Sequence, residues 1–351
     1  MGKRILFLTP GLTKGGAETQ LIRVSAHLKT QGKEVVILAL RPLNNFEPQI
    51  KEHNLEVVFL KEWKHAPLNN IKTIIHTFSR FKPEVVIAFM FIAIIFARLL
   101  KLKFKYHLVS SIRNSVIAGK WRKAFQVTSG LDDIVIYNSR KAKENFERQK
   151  LVRKKGIVIN NAVKIPVRPA YNRSGSERSF TWVTMAHFRV SKDYETLFKA
   201  ISIIKSEDFK ILIFGHIGNQ KWPYERVKEL EIGERVKIMG FNPNAVEYLK
   251  EADAFVLSSF WEGSPNAMLE AMSYCKPIVG SAVDGIEELL SDANCGYLSK
   301  PGNAEDLANN MLHIMKMPPC ERIILGQKGR DYIEEYFSEA QVMEKWMEVI
   351  G

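Results

Sequence analysis

Along the chain, short runs of consecutive apolar residues alternate with longer stretches whose apolar positions recur every three or four residues. The runs predict strands at 4–9, 34–40, 55–60, 84–90, 106–112, 134–138 and 156–160, since a strand buried on both faces is a continuous apolar run. The stretches between them predict helices at 18–29, 71–81, 91–100 and 141–148; in the first, Leu21, Ile22, Ser25 and Leu28 share a face. A second series follows. It has strands at 180–185, 210–214, 236–239 and 254–258 and helices at 194–205, 306–316, 320–336 and 338–350. In the last helix Val342, Trp346 and Ile350 fall at helical spacing, which makes Trp346 a core residue. Strands separated by helices imply parallel, doubly wound sheets that bind ligands at the carboxyl ends of their strands. The fold class is therefore α/β, with two Rossmann-like domains. Residues 166–178, polar and rich in Pro and Gly, are the expected linker between domains at 1–165 and 179–325.

Size agrees with this division, because 351 residues exceed what one core ordinarily organises. The three cysteines, Cys275, Cys295 and Cys320, include no close-spaced pair. That argues against a disulfide framework or a zinc site and suits a reducing cytoplasm. Arg4 opens straight into a strand-like run without a signal-peptide pattern. The most apolar stretch, 85–97, is shorter than the roughly 20 residues a bilayer span needs.

Charge changes the picture more. Residues 1–168 carry 31 Lys+Arg against 11 Asp+Glu, a net +20, while the remainder carries 20 against 27, a net −7. The first half is thus expected to meet nucleic acid, an acidic membrane surface or an anionic acceptor. Basic residues interleave with aromatic ones at 101–106 and 113–123. This suits a membrane interface or a lipid-diphosphate head group. No RNA-binding or helix-turn-helix signature accompanies them, so nucleic acid is not expected as a partner. The location expected is cytoplasmic, peripheral on the inner face of the plasma membrane.

Two stretches carry candidate chemistry. After the first strand comes Pro10-Gly-Leu-Thr-Lys-Gly-Gly-Ala-Glu18. The P-loop test fails because Ala17 and Glu18 follow Gly16 where Lys and Ser/Thr are required. The dinucleotide test fails because the second strand ends in Arg41 rather than an acidic residue. What remains is Gly15-Gly16, a pair that lets backbone approach a ligand.

The second stretch starts after the run 254–258 and contains Glu262-Gly-Ser-Pro-Asn-Ala-Met-Leu-Glu270. Ser264 is the expected N-cap and Pro265 the first helical residue, with the helix ending before Pro277. Glu262 then lies in the loop and Glu270 about two turns into the helix. A helix N-terminus suits a phosphate. A carboxylate beside it must do something else, such as accepting hydrogen bonds from sugar or ribose hydroxyls. Together these requirements describe a nucleotide-sugar.

The phrase Glu262, seven residues, Glu270, in the setting Glu-Gly-Ser-Pro-Asn…Glu-Ala-Met…Pro-Ile-Val, resembles the donor-binding signature of the family 4 retaining glycosyltransferases. These have the two-domain GT-B fold, two Rossmann-like domains facing a cleft. The resemblance implies that Glu262 contacts the donor sugar and Glu270 the ribose. It implies that Gly263, Ser264, Pro265, Asn266 and Ala267 supply the phosphate-binding helix start. Gly15 and Gly16, completed by Glu18, match a loop facing the donor diphosphate and acceptor. The family often has a His where this chain has Arg113, after Ser110-Ser-Ile. An arginine there is expected to grip a diphosphate or an anionic acceptor. The loop 187–193 supplies an Arg and a Lys to the diphosphate, here Arg189 and Lys192, spaced more closely than usual. The catalytic set implied is Glu262, Arg113 and Lys192. Residues 326–351 are expected to pack back on the first domain.

The resulting expectation is a retaining hexosyltransferase moving sugar from a nucleotide-sugar, most simply a UDP-sugar, to a glycan or lipid-diphosphate acceptor in cell-surface polysaccharide synthesis. No metal and no cofactor are expected, and the chain lacks an Asp-x-Asp pair. Two alternatives stay open. One is a nucleotide-sugar epimerase or hydrolase, which would want a base such as His187 or His216. The other is a non-catalytic membrane or nucleic-acid binding module.

Overall fold

A computed structural model describes residues 2–13, 15–114, 116–167 and 179–351. All but the first two residues of the expected linker lie outside the described residues.

The first domain alternates strand and helix: β1 (Arg4–Thr9), α1 (Gly16–Thr30), β2 (Glu34–Ala39), α2 (Glu47–Glu52), β3 (Glu56–Phe59), α3 (Pro67–Phe81), β4 (Val85–Phe89), α4 (Phe91–Leu100), β5 (His107–Ile112), α5 (Gly119–Thr128), β6 (Ile134–Tyr137), α6 (Arg140–Arg148) and β7 (Ile157–Val158). The strands form one sheet in the order β3-β2-β1-β4-β5-β6-β7, and every pairing is parallel. Alternate residues of β1 feed two cores. Leu6 and Leu8 pack on the side of α3 and α4, while Ile5 and Phe7 pack with Leu21 and Leu28 of α1.

The second domain runs β8 (Phe180–Met185), α7 (Tyr194–Ile203), β9 (Phe209–Phe214), α8 (Trp222–Glu229), β10 (Val236–Gly240), β11 (Ala254–Leu257), α9 (Asn266–Ser273), β12 (Ile278–Ser281), α10 (Asp284–Ala293), β13 (Gly296–Ser299), α11 (Ala304–Lys316) and α12 (Pro319–Tyr336). Its six strands lie in the order β10-β9-β8-β11-β12-β13, again parallel. The chain ends in α13 (Glu339–Ile350), whose Val342, Met343, Trp346 and Ile350 join the α1 side of the first domain's core.

The compact units are residues to Ala162 together with Ala340–Gly351, and Val163–Glu339. The returning segment is therefore shorter than 326–351, because α12 stays with the second domain. A Cβ on Gly326 would lie 1.9 Å from the Cys275 carbonyl oxygen, and one on Gly329 would lie 3.0 Å from the Cys295 Cβ. Those glycines let α12 press against that domain, and Ile333 and Phe337 enter its core.

Several elements escape the hydrophobic pattern. Of its ten residues α5 buries only Phe125, and α2 buries none, so neither shows a full apolar stripe. In strands β12 (Ile-Val-Gly-Ser) and β13 (Gly-Tyr-Leu-Ser), Gly and Ser leave only two adjacent apolar residues, too few to register as a run.

Candidate active site

Strand order locates the site in each domain. In the second, the winding reverses between β8 and β11, which pair directly through Ala254–Trp182 and Phe255–Val183. The crevice at the carboxyl ends of two such strands is where open α/β sheets bind ligands. The loop leaving β8 carries Arg189 and Lys192, and the loop leaving β11 carries Glu262.

These two loops are tied together. The Phe260 N–H donates to the Ser191 carbonyl at 2.9 Å, and the Ser258 hydroxyl donates to the Lys192 carbonyl at 3.1 Å. The Lys192 ammonium pairs with Glu262 Oε1, which also accepts from the Ser259 hydroxyl at 3.3 Å. Only 21% of the Lys192 side chain and 12% of that of Glu262 is exposed, so the pair is held away from most of the solvent. Arg189 is exposed and makes no ion pair among the described residues. Asp193, at φ +42, turns the chain sharply after Lys192 and caps α7 by accepting the Thr196 N–H at 3.2 Å. A capping carboxylate there offsets the two cations that precede a helix start.

The glutamate loop is also held from the other side. The Ser259 N–H donates to the Ser281 hydroxyl at 3.0 Å, and the Gly285 N–H donates to the Glu262 carbonyl at 3.1 Å. A Cβ on Gly285 would lie 2.2 Å from the Gly263 oxygen and 3.3 Å from the Ser264 nitrogen. The start of α10 thus rests on the backbone of Glu262–Ser264. The helix start departs from expectation. Ser264 is not the cap; Pro265 is, at φ −77 and ψ 99, and α9 begins at Asn266. The Pro265 carbonyl accepts from Met268 and Leu269 at 3.0 and 3.1 Å. Asn266 and Ala267 form the first turn, whose N–H groups lie ahead of the intrahelical ladder. Glu270 is partly buried and stands little more than one turn into α9 rather than two. Helical side chains lean toward the N-terminus, so Glu270 leans back toward the loop.

In the first domain the winding reverses between β1 and β4, and the glycine loop follows β1. Gly15 is the N-cap of α1 in extended conformation, and Gly16 is its first residue. The space above Gly15 is taken by the helix's own Glu18: an added Cβ would lie 2.5 Å from its Oε2, and its Oε1 accepts from the Thr13 hydroxyl at 2.9 Å. Glu18 therefore folds over the loop from position N3, as in a capping box.

Arg113 is not the accessible cation expected after β5. It is 6% exposed. Its Nε donates to the Ser111 hydroxyl at 2.8 Å, and its Nη1 to Asn161 Oδ1 and the Ile159 carbonyl at 3.1 and 3.3 Å. The guanidinium lies over the rings of Phe89 and Trp346, 5.1 and 5.5 Å from their centroids. Burial pushes its pKa down to about 9, so it remains cationic at neutral pH. Its Nη2 alone lacks a partner among the described residues. Most of its hydrogen bonding fastens the chain leaving the first domain, and its ring contacts fasten the helix that returns.

Neither histidine is arranged as a base. His187 Nδ1 accepts the His216 N–H at 3.0 Å, and His216 Nδ1 accepts the Gly218 N–H at 2.8 Å. Each neutral ring then carries its proton on Nε2, with its lone pair engaged by backbone. Among the described residues no cluster of His, Cys, Asp and Glu could hold a metal ion, and no helix is long and apolar enough to cross a membrane.

The second domain thus brings together Arg189, Lys192, Glu262, Gly263, Ser264, Pro265, Asn266, Ala267 and Glu270, while Gly15, Gly16 and Arg113 belong to the first. Sequence reasoning missed Asp193, Ser258, Ser259 and Gly285, which hold these residues in place. Asp193 could have been found from its place before a helical run, and the two serines from the polar pair that ends an apolar strand.

The model for Glycosyltransferase Family 4 matches residues 14–165, and that for Glycosyl transferases group 1 matches 172–335. The chain belongs to the family 4 glycosyltransferases. N-acetyl-alpha-D-glucosaminyl L-malate synthase of Bacillus anthracis is 27% identical over 181 residues, 51% of this chain and 47% of that protein. A Campylobacter jejuni N-acetylgalactosamine-N,N'-diacetylbacillosaminyl-diphospho-undecaprenol 4-alpha-N-acetylgalactosaminyltransferase is 26% identical over 117 residues, 33% of this chain and 32% of that one. The matches thus span half or less of these relatives' length. The crystal structure of Anabaena HepE in complex with UDP and glucose superposes with a TM-score of 0.85 at 18% identity, covering 99% of each chain. That likeness defines the fold as GT-B.

Proposed function

We propose that the protein transfers a hexose from a UDP-sugar to a hydroxyl of a glycan or lipid-diphosphate-linked acceptor, with retention at the anomeric carbon, at an acidic membrane surface during cell-surface polysaccharide synthesis. The observation that carries this reading is the meeting of Lys192 and Glu262 at the reversal point between β8 and β11, beside the start of α9. One group suits a diphosphate, the other a sugar hydroxyl, and the helix start a phosphate oxygen. The relatives point the same way: HepE was solved with UDP and glucose, and the Campylobacter relative is named for an undecaprenyl-diphosphate-linked acceptor.

In the proposed reaction the bond between the anomeric carbon and the diphosphate oxygen breaks as the acceptor oxygen attacks from the same face. The acceptor's proton passes to the departing diphosphate. The transition state resembles an oxocarbenium ion. Negative charge grows on the leaving group, where Lys192, Arg189 and the helix start at Asn266–Ala267 stabilise it without a metal. Glu262 holds the sugar hydroxyls and Glu270 the ribose. Donor binding replaces the Lys192–Glu262 pair with contacts from each partner to the ligand.

The test is UDP release from a panel of UDP-sugars with and without undecaprenyl-diphosphate-linked glycans, with the anomeric configuration of the product read by NMR. Acceptor-dependent release with retention is expected. UDP release at equal rate without any acceptor would instead support a hydrolase, and conversion of the UDP-sugar to an isomer without UDP release an epimerase.

A further inference from the structure

Two aromatic rings stand open in the loop that carries Glu262. Phe260 is 42% exposed and Trp261 47%. Their centroids are 6.4 Å apart at an interplanar angle of 26°, so the rings run nearly parallel. Val190, 80% exposed, precedes Ser191, whose carbonyl accepts the Phe260 N–H at 2.9 Å. Exposed apolar side chains thus come from two adjoining loops, at the carboxyl ends of β8 and β11. A Cβ on Gly302 would lie 3.7 Å from Phe260 Cε1, so the loop after β13 also comes up to the first ring.

The backbone that carries the rings is fixed on both sides. Ser191 holds Phe260, Ser281 holds the Ser259 N–H, and Gly285 holds the Glu262 carbonyl. Exposed rings do little for the fold. Rings fixed before a ligand arrives lose little freedom when it binds. Trp261 also keeps a donor unused. Its indole N–H has no partner among the described residues. Trp222, the other exposed tryptophan of the second domain, gives its N–H to Gln220 Oε1 at 2.8 Å.

We propose that Trp261, with Phe260, forms the platform on which a hexopyranose of the acceptor glycan lies. A pyranose has faces of C–H groups and a rim of hydroxyls, so it calls for apolar surface with a few polar groups at its edge. The rings supply the surface, and the Trp261 N–H supplies a donor for a hydroxyl. Exposure assigns the platform to the acceptor's sugar rather than the donor's. The Lys192 and Glu262 side chains, which face the donor in the proposed reaction, are only 21% and 12% exposed, while the rings beside them are open to solvent. The inference rests on the transferase reading and deepens it: the acceptor is a glycan with a sugar ring, not a polyol or a hydroxy acid.

The experiment is 19F NMR of the full chain labelled with 5-fluorotryptophan, the Trp261 resonance being assigned by its loss in Trp261→Phe. The probes are methyl glycosides of glucose, galactose, N-acetylglucosamine and N-acetylgalactosamine, with ribitol and L-malate as ring-less controls. At least one glycoside should shift the Trp261 resonance saturably, and the controls should not. The dissociation constant of that glycoside, read from its own saturation-transfer signal, should rise at least about tenfold in Trp261→Ala, the loss expected for a tryptophan anchor. Trp261→Phe should recover much of the affinity. No shift with any glycoside, an equal shift with ribitol or L-malate, or wild-type affinity in Trp261→Ala would overturn the proposal. So would a shift that grows with protein concentration alone, which would make the rings a contact between two copies of the chain. Competition between the glycoside and a UDP-sugar would give the rings to the donor and overturn it too. UDP binding is measured by calorimetry on the same samples. If it is absent while the glycoside shift is intact, the transferase reading alone fails; if it is intact while no glycoside shifts the resonance, the platform alone fails.

Discussion

Lys192 and Glu262, 70 residues apart in sequence, form an ion pair that joins the loop after β8 to the loop after β11. In the proposed reaction a donor lying between them takes the ammonium with its diphosphate and the carboxylate with its sugar. Lys192→Ala should therefore lower kcat by roughly 10²–10³, the usual loss when one preorganised group facing developing charge is removed. Steady-state kinetics on the identified donor check this. Activity within a few-fold of wild type would reduce Lys192 to a structural partner of Glu262.

Glu270 is assigned to the ribose. Glu270→Ala should weaken nucleotide binding by about 1.5–3 kcal/mol, as for a hydrogen bond involving a charged group. Calorimetric titration with UDP measures it, and an unchanged dissociation constant removes the assignment.

Gly285 makes a separate prediction, because a Cβ there would lie 2.2 Å from the Gly263 oxygen. Gly285→Ala must push the Glu262–Ser264 backbone away from α10. Overpacking of this kind costs about 1–3 kcal/mol, read by urea unfolding. Donor affinity should fall with it, though no donor-contacting side chain has changed.

Trp346 is 1% exposed and packs between Arg113 and the core that holds α13. Trp346→Ala should destabilise the first domain by about 3–5 kcal/mol. Thermal unfolding monitored by circular dichroism should show the drop; a melting point equal to wild type would mean that α13 is not fastened there.

The cysteines offer a simple check of burial. Cys275 and Cys295 are buried, Cys320 is exposed, and burial pushes the Cys295 thiol up to about 12. A disulfide reagent at neutral pH should titrate Cys320 alone in the native protein and all three thiols after unfolding. Rapid native labelling of Cys295 would contradict the packing of α12 over it.

Much of this was legible in the sequence, for identifiable reasons. Strands such as Phe180–Met185 are buried in parallel sheets and announce themselves as apolar runs. The Glu262–Glu270 phrase marked the second domain's candidate site, because its residues are contiguous in the chain. What stayed hidden depends on contacts between distant segments. Pro265 rather than Ser264 is the cap, in a loop whose backbone α10 approaches closely at Gly285. Arg113 is buried in part by Trp346, more than two hundred residues on, and by Ile159 and Asn161. Helix α5 carried its basic and aromatic character openly, but its single apolar anchor left no periodic stripe. The room over Gly15 likewise looked open for a ligand until Glu18 was seen folded above it.

The most direct test of the central claim is thermal stability of the purified protein against UDP-, GDP- and ADP-sugars and the free nucleotides. A ligand at a hundred times its dissociation constant adds about 2.7 kcal/mol. The account predicts a clear rise in melting temperature with a UDP-sugar, lost or much reduced in Glu270→Ala at the same concentration. A rise of equal size in Glu270→Ala and in Lys192→Ala, or no rise with any nucleotide-sugar in a folded protein, would contradict it.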